Sequence, residues 1–262
     1  MASHSLTRGE ELTGPHPTET FADGAAHIWL GTSVDEVAPE ELALLSAAER
    51  NRVRLLHGKS AAASYAAAHV GTRRILAGYL DTDPAELRLG RTLCPECADP
   101  AHGPPSVVWP PTGLTFNLSR SDGHWLLAVT AGRQIGVDLE AKPRVDPELT
   151  APLAFTEREL AHLRAQTDPA AQRAVFLRCW TRKEAVVKAV GVGLAADLCR
   201  IEVHPQLPGP VLVDYGVAPG PGRWILEEPD IGPELYGALA REQGSTGEVL
   251  THEYGVDRLP GA

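Results

Sequence analysis

"FNLSRSDGHWLLAVTAGRQIGVDLE", residues 116–140, decides how the chain is read. With Leu114 and Thr115 it falls into three strand-like runs, 114–121, 124–131 and 134–140, rich in apolar and β-branched residues. Helical patterns follow at 149–165 and 169–190, the second stopped by Gly191. Strand-like runs then return at 199–205, 211–216, 222–228 and 235–240. Upstream, "AHIWLG" (26–31) is strand-like. Residues 38–58 and 60–80 read as helices, with Ser46 and Glu49 spaced as a capping box. Residues 85–90 suit a strand or a helix end, and 94–113 a loop dense in Pro and Gly. Strand with helices and then strands, twice over, predicts two similar α+β halves, 25–132 and 133–241. A flexible leader (1–24) and a loose tail (242–262) would flank them.

Of the 262 residues, 43% are hydrophobic and 22% charged, the profile of a soluble globular protein. The N-terminus has no apolar h-region and no run reaches membrane-spanning length, so neither a signal peptide nor a membrane anchor is expected. Four cysteines do not suggest a disulfide scaffold, and a cytoplasmic location follows. A net charge of -10 argues against a general nucleic-acid binder. The stretch from Arg50 to Leu80 nevertheless holds Arg50, Arg52, Arg54, Lys59, Arg73 and Arg74 and no acid. That is a patch for a small polyanion, or equally a solvated helix face.

In "GVDLE" (136–140), Val137 and Leu139 point one way and Asp138 and Glu140 the other. Two such carboxylates stand roughly 7 Å apart, near enough to share a cation. In "WTRKEAVVK" (180–188), Trp180, Glu184 and Lys188 are spaced four apart, on one helical face. Trp180 suits core packing, and Glu184 with Lys188 could be a simple i,i+4 ion pair. Taken with Asp138 and Glu140, however, Glu184 completes a hard-oxygen set suited to Mg²⁺ and a phosphate, within reach of Lys188.

These three segments, "GVDLE", "FTERE" (155–159) and "WTRKEAVVK", resemble in order and spacing the motifs of the surfactin-type 4'-phosphopantetheinyl transferases. The family patterns are G-[IV]-D-[ILV]-E, F-[ST]-x-x-E and W-x-x-K-E-[SA]-x-x-K, and the likeness runs over roughly residues 25–240. The resemblance implies an α+β pseudo-dimer with the active site in the cleft between its halves. It implies transfer of the phosphopantetheine arm of coenzyme A to a serine of an acyl or peptidyl carrier protein, with adenosine 3',5'-bisphosphate released. Asp138, Glu140 and Glu184 would hold Mg²⁺, and Lys188 would steady the pyrophosphate. Glu159 would be the general base, in competition with a metal-bound water. Arg50 and Arg52 align with positions that hold the 3'-phosphate, and Ser119 and Arg120 with a nucleotide-contacting S-H-S segment. A monomer is expected, acting on carriers of polyketide, nonribosomal-peptide or fatty-acid synthesis.

The chain also departs from the family. Arg120 replaces the histidine of S-H-S, Pro104 a lysine, and Ser64 and His69 stand where arginines are common. Weaker coenzyme A binding is the expectation, and a relative that only binds coenzyme A or carrier protein is the alternative. Cys94, Cys97 and His102 form C-x2-C-x4-H, a zinc pattern lacking a fourth ligand, or else a reduced loop. A zinc-stabilised nucleic-acid module around it would be at odds with the net charge.

Overall fold

The three strand-like runs of residues 114–140 form, but they do not share one sheet: two lie in a six-stranded sheet, and the third opens a four-stranded one. A computed structural model describes residues 20–142, 146–193, 196–218, 220–257 and 259–261. In chain order, β1 (Ala26–Thr32) leads to α1 (Pro39–Leu42), α2 (Ala47–Leu55) and α3 (Lys59–Leu80). Then come β2 (Arg88–Arg91), β3 (Pro105–Trp109), β4 (Leu114–Ser121) and β5 (His124–Ala131). The second half runs β6 (Ile135–Glu140), α4 (Pro147–Ala154), α5 (Glu157–Arg164) and α6 (Pro169–Val190). It continues with β7 (Val211–Asp214), β8 (Arg223–Glu227) and β9 (Tyr236–Glu242), and β10 (Val249–Glu253) closes the series.

The first sheet has the order β10-β1-β5-β4-β3-β2, parallel between β10 and β1 and antiparallel elsewhere. The second, β6-β9-β8-β7, is antiparallel throughout. The chain is therefore mixed α+β, with one 22-residue helix against each sheet. On the first, Ala68, Ile75 and Leu76 of α3 join a core with Trp29, Phe116 and Trp125. On the second, Phe176, Val186 and Val190 of α6 join Trp224, Leu226 and Ala240. A third core, with Ile28, Leu126 and Ala128 beside Val137, Leu139 and Leu239, lies where the sheets meet. Burial of such side chains contributes about 1.5–3 kcal/mol each. No helix among the described residues is long and apolar enough to cross a membrane.

Local chemistry sets the helix ends as expected. The Ser46 hydroxyl accepts from Glu49 N at 3.2 Å, and Glu49 Oε2 from Ser46 N at 2.7 Å, which starts α2. Gly191, at φ +82°, ends α6 in the left-handed region.

Elsewhere the fold departs from the sequence reading. Residues 1–19 of the expected leader lie outside the described residues, but Phe21 is buried against His27 and Tyr79. The stretch after 241 supplies β10, whose His252 stacks on Trp29 at 4.3 Å. Residues 105–109, read as loop, pair with β2 as β3. The alternating run 199–205 is a 3-10 turn followed by extended chain outside any sheet. Ile201 and Val203 are buried as in a strand, yet their backbone groups bond to side chains. Val203 N donates to Glu159 Oε1 (2.8 Å), Arg182 Nη1 to Val203 O (2.9 Å), and Lys183 Nζ to Ile201 O. Charged side chains do here what a neighbouring strand would otherwise do.

Candidate active site

Gly136 is what lets β6 and α6 come together. A Cβ on it would stand 2.1 Å from Ala185 O and 2.4 Å from Ala189 N, so only glycine permits this approach. Asp138 and Glu140 follow Gly136 by two and four residues and share its strand face. Both are buried, at 4% and 8% exposure.

The edge of β6 away from β9 is satisfied by side chains of β4. Val137 N donates to Asn117 Oδ1 (3.3 Å), Leu139 N to Ser119 Oγ (3.3 Å) and Ala141 N to Ser121 Oγ (3.2 Å). The two hydroxyls then donate onward, Ser119 to Asp138 Oδ1 at 2.8 Å and Ser121 to Glu140 Oε2 at 2.5 Å. The "SRS" segment thus fixes the orientation of both carboxylates. Sequence reasoning gave Ser119 a nucleotide contact and passed over Ser121 and Asn117, although N-x-S-x-S places all three on one strand face.

Lys188 reaches across to β6. Its Nζ donates to Asp138 Oδ1 at 2.6 Å and to Ser119 Oγ at 2.9 Å. Asp138 Oδ2 is buried with no hydrogen-bond partner, a costly state for a carboxylate oxygen. Burial pushes the Glu184 carboxyl above its usual range, Asp138 adds to the rise, Lys188 opposes it and Glu140 raises it further. Glu184 thus lies near enough to Asp138 and Glu140 to feel their charge. Among the described residues, no three His, Cys, Asp or Glu side chains are already gathered tightly enough to hold a metal ion. The donor chemistry still fits one. A hard cation among these oxygens would satisfy Asp138 Oδ2 and relieve the repulsion at Glu184.

The basic side chains collect around Tyr65 on α3. The Arg120 guanidinium lies 4.9 Å from the Tyr65 ring centre, and Tyr65 stacks on His69 at 4.0 Å. Burial and then Glu49 raise the Tyr65 phenol, while Arg120, Arg52 and Arg73 pull it down, so cations from three elements act on one ring. Arg73 is used internally, bonded to Glu49 Oε2 at 2.7 and 3.0 Å. Arg50 is exposed and donates to Leu45 O. Arg52 is exposed as well.

Glu159 differs most from its expected role. It has no exposure, and Lys183, equally enclosed, lies 2.7 Å from its Oε2. Thr156 N also donates to Oε2 (2.8 Å), completing a capping box at the start of α5, and Val203 N to Oε1. Lys183 in turn donates to Leu198 O (2.9 Å) and Ile201 O. A carboxylate so enclosed and so fully bonded is a brace between α5, α6 and the 201–203 segment, and is badly placed to take a proton from a substrate. Trp180 packs beside Phe176 on the second-half core, as expected. A cavity of about 240 Å³, lined by Glu96, Asp197, Arg200 and Tyr215 among others, shares no residue with the carboxylate cluster.

A model of the 4'-phosphopantetheinyl transferase superfamily matches residues 134–235. The chain is 33% identical over 184 residues to the 4'-phosphopantetheinyl transferase HetI of Nostoc sp., spanning 68% of this chain and 74% of that one. It is 27% identical over 198 residues to a putative 4'-phosphopantetheinyl transferase of Synechocystis sp., with 74% of each covered. The L-aminoadipate-semialdehyde dehydrogenase-phosphopantetheinyl transferase of Xenopus laevis is 32% identical over 112 residues, 39% of this chain and 35% of its own length. The solved holo-[acyl-carrier-protein] synthase of Thermotoga maritima aligns at a TM-score of 0.29 and 16% identity, over 42% of this chain and 62% of that one.

Proposed function

The chain belongs to the 4'-phosphopantetheinyl transferase superfamily, and we propose that it moves the 4'-phosphopantetheine arm of coenzyme A onto a serine of apo acyl or peptidyl carrier proteins. Adenosine 3',5'-bisphosphate is the second product, and the chain works as a monomer in the cytoplasm. In this reading its two sheet-and-helix layers form a pseudo-dimer, with the reaction where they meet.

The observation that carries the reading is the carboxylate cluster. Asp138 Oδ2 is buried without a partner, Glu184 is raised by burial and then by Asp138, and Lys188 stands against Asp138. Asp138, Glu140 and Glu184 would hold Mg²⁺, which when bound neutralises charge on the pyrophosphate of coenzyme A. The chain's own residues do the rest. Ser119 and Ser121 hold the first two carboxylates oriented by direct hydrogen bonds. Lys188 exchanges its bond to Asp138 for one to a phosphate oxygen. Arg50, Arg52 and Arg120 supply positive charge for the 3'-phosphate, Arg120 by its planar fork in place of histidine. We assign Glu159 to bracing, and the proton of the carrier serine to another acceptor.

The test is intact mass spectrometry of a panel of apo carrier proteins after incubation with enzyme, coenzyme A and Mg²⁺. The expected result is a gain of one phosphopantetheine, lost on chelation and lost with Glu184→Ala. No gain on any carrier, with coenzyme A still bound by calorimetry, would leave only the binding relative. No binding of coenzyme A at all would overturn the reading.

A further inference from the structure

The loop between β2 and β3 carries a group of donors that the proposed reaction does not use. It is closed at its base, where Thr92 N donates to Pro104 O (3.0 Å) and Arg91 Nη1 to Gly103 O (2.7 Å). Inside it, "CPEC" makes a tight turn: Ala98 N donates to Cys94 O (2.8 Å) and Cys94 N to Asp99 O (3.1 Å). Ala98 adopts φ +57°, a left-handed conformation that costs a non-glycine residue about 1 kcal/mol. The turn thereby brings two cysteines, which bind metal as thiolates, into one short loop.

Histidine completes the group. Cys97 Sγ and His102 Nδ1 are 3.4 Å apart. Two ligands on one tetrahedral zinc, with Zn–S near 2.3 Å and Zn–N near 2.0–2.1 Å, stand about 3.5 Å apart, so this pair already has the spacing of shared coordination. The other ring nitrogen, Nε2, faces Asp99 Oδ2 at 3.7 Å. That is the side on which a metal-bound imidazole takes its carboxylate partner. Cys94 is buried beneath the loop, whereas Cys97 and His102 are exposed, so the outer face is open to solvent.

We propose that Cys94, Cys97 and His102 bind one zinc ion, with Asp99 orienting the imidazole and a solvent molecule in the fourth position. The three donors do not yet converge on one point; rotation of the exposed Cys97 and His102 side chains toward Cys94 closes the site. Binding releases two thiol protons to solvent, and no redox step is involved. The ion ties down a loop whose last residue, Pro104, packs on Gly191, 2.6 Å from where a Cβ there would sit. Gly191 is three residues beyond Lys188, so the zinc would stiffen a contact between the two halves beside the carboxylate cluster.

Cobalt spectroscopy tests this independently of transferase activity. The full chain, reduced and stripped of metal, is titrated with Co²⁺. The expected result is a thiolate-to-cobalt charge-transfer band that saturates at one equivalent and is displaced by Zn²⁺. Cys97→Ser removes it, while Asp99→Ala weakens affinity about tenfold. His102→Ala, at an exposed position, keeps the fold and lowers affinity further. Glu184→Ala and Cys199→Ser leave the band in place. Absence of the band in the wild-type chain, its survival in Cys97→Ser, or its loss in Cys199→Ser would each overturn the proposal. Oxygen ligands give no sulfur charge transfer, so Co²⁺ at Asp138 and Glu184 cannot imitate the result.

Discussion

Gly136→Ala puts the link between packing and chemistry to a direct test. The new methyl group would start 2.1 Å from Ala185 O, and ordinary contact begins at 3.4 Å. The difference requires β6 and α6 to separate by about 1.3 Å locally. The obstacles are helix backbone atoms, Ala185 O and Ala189 N, so no side chain can swing aside. Overpacking of this kind costs about 1–3 kcal/mol, and the upper end is expected here. Ala185 and Ala189 directly follow Glu184 and Lys188 in the chain, so the same displacement moves the acid and the base away from Asp138. A misplacement of about 1 Å in a catalytic group lowers rates about 100-fold. Urea unfolding should record the stability loss, and kcat for an apo carrier should fall about 100-fold. Gly78→Ala serves as the control. Its Cβ would stand 2.0 Å from Pro260 O, far along the chain from the carboxylates, so it should lose stability and keep kcat. If Gly136→Ala keeps kcat within threefold of wild type while remaining folded, the close approach of β6 and α6 does not set the site geometry.

Four further outcomes can be measured. Lys183→Met leaves the Glu159 carboxylate buried without its cation and should cost about 3–5 kcal/mol, an apparent melting shift of roughly 6–20 °C, while adding Glu159→Leu should recover most of it. Glu159→Gln should likewise act on stability, and if instead it unfolds like wild type but loses about 10²–10⁴ in kcat, Glu159 is the base and the brace assignment fails. His27 Nδ1 lies 2.7 Å from Tyr79 Oη and 3.1 Å from His252 Nε2, and burial, then His252, lowers its pKa to about 4. The unfolded imidazole takes its proton near 6.5 and the folded one only near 4. The unfolded state therefore binds more protons between these values, and stability should fall as pH drops through that window and stay level above it. Urea midpoints against pH should show this slope, and His27→Gln should reduce it, leaving the part due to His69 and His252, which burial also lowers. Arg120→Ala removes one charged phosphate contact and should raise KM for coenzyme A roughly ten- to hundredfold, with kcat within threefold; a fall in kcat alone would place Arg120 elsewhere.

Much of this protein is legible without its structure, because periodicity and end chemistry act over a few residues. Alternation in "GVDLE" put Asp138 and Glu140 on one face, four-residue spacing aligned Glu184 with Lys188, and Ser46, Glu49 and Gly191 marked helix ends through their own backbone bonds. What required tertiary structure is every choice of partner across elements. Lys188 could have paired along its helix with Glu184 and instead bonds to Asp138 on β6. Ser119 and Ser121 serve the edge of a strand in the other sheet, since β4 and β6 meet there. Residues 199–205 alternate like a strand, but Glu159, Arg182 and Lys183 occupy the bonds a neighbouring strand would have made. The stretch from 242 carries little strand pattern of its own and becomes β10 because β1 has a free edge for it. Sequence period determines which way a side chain faces, while long-range packing determines what it meets, and no local pattern encodes a hydrogen bond spanning 50 residues such as that between Lys188 and Asp138.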